Sequence, residues 1–413
     1  MMRTASAQAG LASIAPVVRW PRELSPAAAT PAAASAAAVG SAVARGDVLT
    51  GAPGNNIPES IFDRMNRNLH RTESHPLGII KAAIQEYFEG RHPGEFRFFD
   101  DLRPIVKTEA NFDELLIPED HVSRSPNDTY YVGDGTVLRC HTSAHQAELL
   151  RGGHAAFTCT GDVYRRDTID ATHYPVFHQM EGVRVFEEDD WGGEGDGTAH
   201  AEAELRSTLE GLAKHLFGDV ECRWVDAYFP FTEPSIELEI FYRGEWLEVL
   251  GCGVMRQEIL EGNLPAGASG KRRRAWAFGL GLERLAMVLF GIPDIRLFWS
   301  GDERFLSQFK AGDLTTQFQP YSKYPPCNKD MAFWLSDAFT ENNLCEVVRG
   351  VAGDLCEEVK LIDEFTNPKL GRTSHCYRVV YRSMDRSLTN EEIDALQERV
   401  REEVVGQLGV ELR

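Results

Sequence analysis

Two arginine-bearing stretches hold the residue types best suited to chemistry. The first, Gly161–Gly182, reads GDVYRRDTIDATHYPVFHQMEG. Arg165 and Arg166 follow its apolar start, and Asp167, Asp170, Thr172, His173 and Tyr174 fill the middle. Phe177, His178, Gln179, Met180 and Glu181 close it. A guanidinium fork binds phosphate or carboxylate through paired N–H groups, while amides and carboxylates accept an ammonium. Such a set can hold a small ligand bearing phosphate and amine. It can equally be a half-buried hairpin with ordinary surface charges. The second stretch, Gly279–Met287, reads GLGLERLAM and sets Arg284 inside an apolar run. Leu282, Leu285, Ala286 and Leu289 follow the i, i+3, i+4, i+7 spacing of a helix with one buried face. Gly291 and Pro293 stop that helix. A guanidinium buried in such a run requires an anion, and its planar fork suits phosphate.

Periodicity predicts the elements that position these groups. Asp162-Val163-Tyr164 and Val176-Phe177-His178 read as antiparallel strands joined by a long polar loop. Ile236–Tyr242 and Trp246–Met255 form a hairpin around Arg243-Gly244. Phe229-Pro230-Phe231 opens the turn before it, and Gly251 and Gly253 predict close approach of a ligand to the second strand. Helices are expected over Pro58–Leu69, over Pro76–Phe88, and where Leu205, Leu209, Leu212 and Leu216 share a face. His141-Thr142-Ser143-Ala144-His145-Gln146 opens another, with Ser and Thr as caps. Glu187–Gly197 reads as a solvated acidic loop, and Lys271–Arg274 as a basic run in a solvated loop or against RNA. From about Ser322 the order strand, helix, two strands, helix, strand is ferredoxin-like, its last helix opened by a capping box at Thr389–Glu392.

The 413 residues suffice for two domains, and 26% charged with 43% hydrophobic residues describe a soluble globular protein. No apolar run reaches the length of a membrane span, so no membrane partner is expected. A net charge of −20 argues at first sight against nucleic acid but does not exclude a local basic face. Eight scattered cysteines without a CxxC pair indicate neither zinc nor a disulfide framework, and fit a reducing compartment. Residues 1–55 are rich in Ala, Ser and Pro, with Arg3, Arg19 and Arg22 ahead of the first acid, Glu23. They read as an organellar transit peptide or a disordered tail.

Both arginine stretches resemble motifs 2 and 3 of the class II aminoacyl-tRNA synthetases. FHQMEG, FPFTEPS, LGCGVM and WAFGLGLERLAM together resemble the phenylalanyl-tRNA synthetases, closest to their single-chain organellar form. The similarity runs from about His75 to the C-terminus. It implies an α+β protein, with an antiparallel-sheet catalytic domain over residues 56–310, a linker over 311–322 and a ferredoxin-like anticodon-binding domain over 323–413. It further implies ATP with Mg2+, L-phenylalanine and tRNA(Phe) as ligands, a monomer, and the mitochondrial matrix, with the plastid stroma or dual targeting as alternatives. The net charge predicts a salt-sensitive, modest affinity for that tRNA. By this resemblance Arg165 holds the α-phosphate and substrate carboxylate, and Arg284 the far phosphates. Phe177 stacks on adenine, with Asp167 (where motif 2 more commonly carries Glu), Thr172, His173 and Tyr174 around the nucleotide and Glu248 near magnesium. His141, Ser143, Ala144, His145, Gln146, Gln179, Met180 and Glu181 receive phenylalanine's polar end. Phe229, Phe231, Gly253, Ala277 and Phe278 surround its ring. A catalytically silent relative that binds tRNA is the alternative.

Overall fold

The structure is a computed structural model that describes residues 42–413 except 134, 194, 265–270, 321–323, 370 and 384–385. Most of the transit segment expected from the sequence therefore lies outside the described residues. Its last part does not behave as a tail. Val43 and Val48 are buried, and the Asn66 side chain accepts from Val43 N at 2.9 Å and donates to Val43 O at 3.0 Å. Asn55 ties the same segment down by donating to the carbonyls of Val48 and Val132.

The catalytic half is built on seven strands: β1 (Arg97–Phe99), β2 (Ala156–Tyr164), β3 (Val176–Glu187), β4 (Glu221–Ala227), β5 (Thr232–Tyr242), β6 (Glu245–Met255) and β7 (Arg273–Gly281). Their order is β1-β2-β3-β7-β6-β5-β4, antiparallel except for β1 beside β2. The β5–β6 hairpin turns on Arg243 (φ 52°) and Gly244 (φ 95°), the two positive φ values of a tight turn whose twist matches the strands.

One face of the sheet carries three helices: α1 (Pro76–Arg91), α2 (Thr198–Phe217) and α3 (Leu282–Phe290). Their apolar stripes meet Met180, Trp276, Phe278 and Leu280 in a single core. The helix expected at Pro58–Leu69 survives only over Glu59–Phe62. Asn66 and Asn68 take left-handed φ values of 61° and 50°, which a helix does not accept. Residues 311–322, expected to be a linker, are partly packed: Phe318 is buried and its N–H reaches Phe290 O at 2.7 Å.

The C-terminal part is β8 (Cys327–Trp334), α4 (Glu341–Ala352), β9 (Cys356–Asn367), β10 (Arg372–Tyr381), α5 (Asn390–Leu408) and β11 (Glu411–Leu412). The order β9-β10-β8-β11 is the ferredoxin-like arrangement expected. Thr389 and Glu392 close the capping box reciprocally at 3.2 and 2.9 Å. This sheet packs on the loop between β2 and β3. Ile169 from that loop enters its core, Val359 N–H donates to Ile169 O at 3.0 Å, and Arg349 donates to Asp167 O at 2.8 Å.

Because Val48 is fully buried, Val48→Ala should destabilise the protein by about 2 kcal/mol, the cost of two lost methyls plus the cavity left behind. Urea unfolding followed by circular dichroism reads this. An unchanged midpoint would show that residues 43–55 are dispensable to the fold.

Candidate active site

The sheet face opposite the helices lines a cavity of about 750 Å³, within the range of small-molecule sites. Strand alternation decides which residues reach it. On β3, Phe177, Gln179 and Glu181 face the cavity, while Val176, His178 and Met180 are buried on the helix side. On β7, Ala277 and Gly279 face it, whereas the ring of Phe278 turns back and stacks on Phe88 at 5.6 Å. Gly182 makes room for that ring: a Cβ there would lie 2.3 Å from Phe278. Met180 is thus excluded from the cavity, and Phe278 borders it without offering its ring.

At one end the cavity forms an acceptor-rich cradle. Glu181 sits beside Gln146, whose amide nitrogen donates to Glu181 Oε2 at 3.3 Å. Glu181 Oε1, Gln146 Oε1 and both ring nitrogens of His141 are buried without partners. Burial raises the Glu181 carboxyl to about 8, against the hydrogen bonds from Ser143 and Gln146. Burial, and then the charge of Arg165, lowers His141 to about 3 and leaves it neutral. Glu181 Oε1, Gln146 Oε1 and the unprotonated nitrogen of the neutral His141 ring are three unmet acceptors, and they match an ammonium with its three donors. Phe229 and Phe231, ring centroids 6.0 Å apart, wall the neighbouring space with Ala277.

Ala144 and His145 lie behind this cradle. His145 Nε2 accepts from Arg139 Nη1 at 2.8 Å, so its proton sits on Nδ1 and is donated to Glu148 at 2.7 Å. Gly253 is also outside the cavity, since a Cβ there would lie 2.3 Å from Pro234 O. The close approaches at Gly251 and Gly253 are protein on protein: Phe229 lies over Gly251, and the β5 backbone over Gly253.

The other end is cationic. Arg165 donates from Nε to Cys140 O at 2.8 Å and lies 5.2 Å from the Phe177 ring centroid. Burial pulls its pKa down, with Asp167 among the groups acting against this. Arg284, expected to be buried, is exposed, with Glu248 at 3.5 Å. The helix turns it away from the apolar stripe, and the charge buried there is Glu283. Thr172 and His173 line the opening, where Asp170 accepts from Thr172 N, His173 N and His173 Nδ1 at 2.6, 2.9 and 2.7 Å. Tyr174 lines it too, but its hydroxyl accepts from Arg64 at 2.8 Å and donates to Asp354 at 2.7 Å.

Among the lining residues that the sequence did not single out are Glu237 and Asn342. Glu237 on β5 lines the cavity with Glu248 of β6, and burial, then the charges of Glu248 and Glu239, raises its pKa. The alternation Ile236-Glu237-Leu238-Glu239-Ile240 already placed Glu237 opposite the core. Asn342 arrives from the ferredoxin-like domain, donating to Asp128 Oδ1 at 3.1 Å and Arg166 O at 3.2 Å. No sequence signal reports a contact of that range. The basic run Lys271–Arg274 pairs residue by residue with Asp189, Glu188, Glu187 and Asp196 of the acidic loop.

Residues 62–309 match the family described as "tRNA synthetases class II core domain (F)", and residues 322–413 match "Ferredoxin-fold anticodon binding domain". The chain is 64% identical over 374 residues to the phenylalanine–tRNA ligase, chloroplastic/mitochondrial, of Arabidopsis thaliana, covering 90% of this chain and 86% of that one. It is 50% identical to the mitochondrial phenylalanine–tRNA ligase of Dictyostelium discoideum, covering 87% and 89%. Identity to the mitochondrial enzyme of Saccharomyces cerevisiae is 40%, covering 87% and 92%.

With the Glu181 carboxyl raised to about 8, the group is mostly protonated at pH 7. An ammonium favours the carboxylate, so binding releases a proton below that pH and affinity rises as pH approaches it. Calorimetric titration of phenylalanine at pH 7, in two buffers of different ionisation enthalpy, should differ by the heat of most of one proton. Glu181→Gln should abolish the difference. Equal heats in both buffers for the unaltered protein would show the carboxyl already charged.

Proposed function

Since this chain belongs to the class II tRNA synthetases, as a phenylalanine–tRNA ligase that charges tRNA(Phe) with phenylalanine using ATP, we propose how its residues divide the reaction. The cradle of Glu181, Gln179, Gln146, Ser143 and His141 takes the ammonium of phenylalanine. Phe229, Phe231 and Ala277 enclose its ring. The substrate carboxylate then lies beside Arg165, where it attacks the α-phosphorus of ATP; the P–O bond to the β-phosphate breaks and diphosphate leaves. No protein nucleophile is needed. Alignment of the two substrates, and neutralisation of charge developing on the α-phosphate, supply the acceleration.

Phe177 stacks on adenine from within the sheet, and Arg284, exposed at the rim, reaches the far phosphates. Asp167, Thr172, His173 and the ring of Tyr174 flank the nucleotide. Glu237 and Glu248 form a like-charge pair whose raised Glu237 pKa marks a place that favours a cation. They would hold a magnesium ion that travels with ATP and neutralises the departing diphosphate. In the second step a ribose hydroxyl of the tRNA's terminal adenosine attacks the adenylate carbonyl, and AMP leaves.

The domains are assigned as catalytic up to residue 310 and anticodon-binding from 323. The resemblance to the single-chain organellar enzymes supports a monomer. The word mitochondrial is common to the names of the three relatives, one of which is also chloroplastic, and this supports the mitochondrial matrix here, with the plastid stroma or dual targeting as the alternative. The carrying observation is a buried, unpaired acceptor cluster separated by the β3 and β7 strand ends from two arginines.

Arg284→Ala should lower phenylalanine-dependent exchange of diphosphate into ATP by at least about 100-fold, the effect of losing one charge-assisted contact to a developing anion. Its unfolding curve should be unchanged, because Arg284 is exposed and its ion pair with Glu248 is long. Normal exchange by this variant would overturn the assignment.

A further inference from the structure

One buried hydrogen-bonded pair has no part in the reaction as derived so far. His178 and Glu283 leave only 1% and 3% of their side chains exposed. Both oxygens of the carboxylate go to the same residue. Glu283 Oε2 accepts from His178 N at 2.8 Å, and Oε1 accepts from His178 Nδ1 at 2.7 Å. The imidazole is held between rings, with centroids 5.8 Å from Trp299 and 5.1 Å from His70.

The location gives the pair a use. The β3–β7 ladder ends at Gly281 opposite Gln179, because β7 there turns into α3. His178 N–H is the next donor along β3, and the carboxylate takes the place of the carbonyl that a longer β7 would have offered. His178 lies between Phe177 and Gln179, both facing the cavity, and Glu283 directly precedes Arg284. The carboxylate therefore joins the first turn of α3 to the strand under the adenine. An apolar pair would fill the same space without the cost of burying charge. What it would not do is fix the rise and rotation of that first turn against one backbone N–H.

We propose that Glu283, through His178, is a positioning residue that sets where Arg284 stands relative to Phe177. This rests on the assignment of Arg284 to the far phosphates of ATP. The clamp lies on the nucleotide side, so it acts on ATP and not on the ammonium cradle.

Glu283→Gln preserves shape and one acceptor while removing the charge. It should raise the KM for ATP in diphosphate exchange by about tenfold, while phenylalanine affinity measured without ATP stays within about twofold. His178→Asn, whose amide nitrogen can stand where Nδ1 stood, should stay within about threefold of the original KM, and His178→Leu should not. The deciding measurement is made in the Arg284→Ala background. If the clamp acts through Arg284, Glu283→Gln adds less than about twofold there. An undiminished effect in that background, or a matching loss of phenylalanine affinity, overturns the clamp while leaving the nucleotide assignment standing. Normal ATP kinetics in Arg284→Ala alone overturns both. Should Glu283→Gln fail to fold, the His178→Asn and His178→Leu pair carries the same comparison.

Discussion

A β-strand offers a site only every second residue, and this enzyme's chemistry is arranged within that limit. At the seam between β3 and β7 the front positions are Phe177, Gln179, Glu181, Ala277 and Gly279, all small or ligand-directed. The positions between them, Met180, Phe278 and Leu280, belong to the core under the helices. The same few residues thus hold the layer together and present the site. A one-residue slip between the strands would exchange the two sets. Gly182 under the Phe278 ring and the closed ladder from Arg273 to Gly281 make that slip sterically costly.

Buried charge is treated in two opposite ways across this seam. Behind the sheet, Asp162 accepts from Arg139 at 2.8 Å, and Glu283 gives both oxygens to His178. On the front, Glu181 keeps one oxygen without a partner and Arg165 has no carboxylate in an ion pair among the described residues. Incomplete satisfaction of buried groups is destabilising by itself. At Glu181, Gln146 and His141 the unmet atoms face the cavity, where the ammonium of the proposed substrate would complete the network.

Much of this was legible because the relevant signals are local. Alternation in Gly161–Gly182 and the turn at Arg243-Gly244 predicted their strands, and the family motifs pointed to Glu181, Gln146 and both arginines. The misreadings share one cause. Arg284 was inferred to be buried from the apolarity of its run, but on a helix the face is decided by rotation, and Glu283 occupies the inward position. His145 and Met180 were carried along with lining neighbours although each points to the other side of its element, and Gly253 shares a face with Gly251 but is covered by Pro234 and Thr232. Residues 43–55 read as a tail because composition is silent on the distant partners Asn66 and Val132. The packing of the ferredoxin-like domain on Ile169 joins residues too far apart in the chain for any pattern to show.

The four-rung pairing of Lys271–Arg274 with the acidic loop has a consequence for how a polyanion meets this protein. Cations already neutralised by neighbouring carboxylates displace few counterions from RNA when it approaches. The most basic run of the sequence is therefore electrostatically quiet. The slope of tRNA affinity against salt concentration will count the cations that stand elsewhere on the surface. An enzyme so acidic overall then offers RNA a few discrete footholds, and a wrong RNA that misses them is turned away by the remaining negative field.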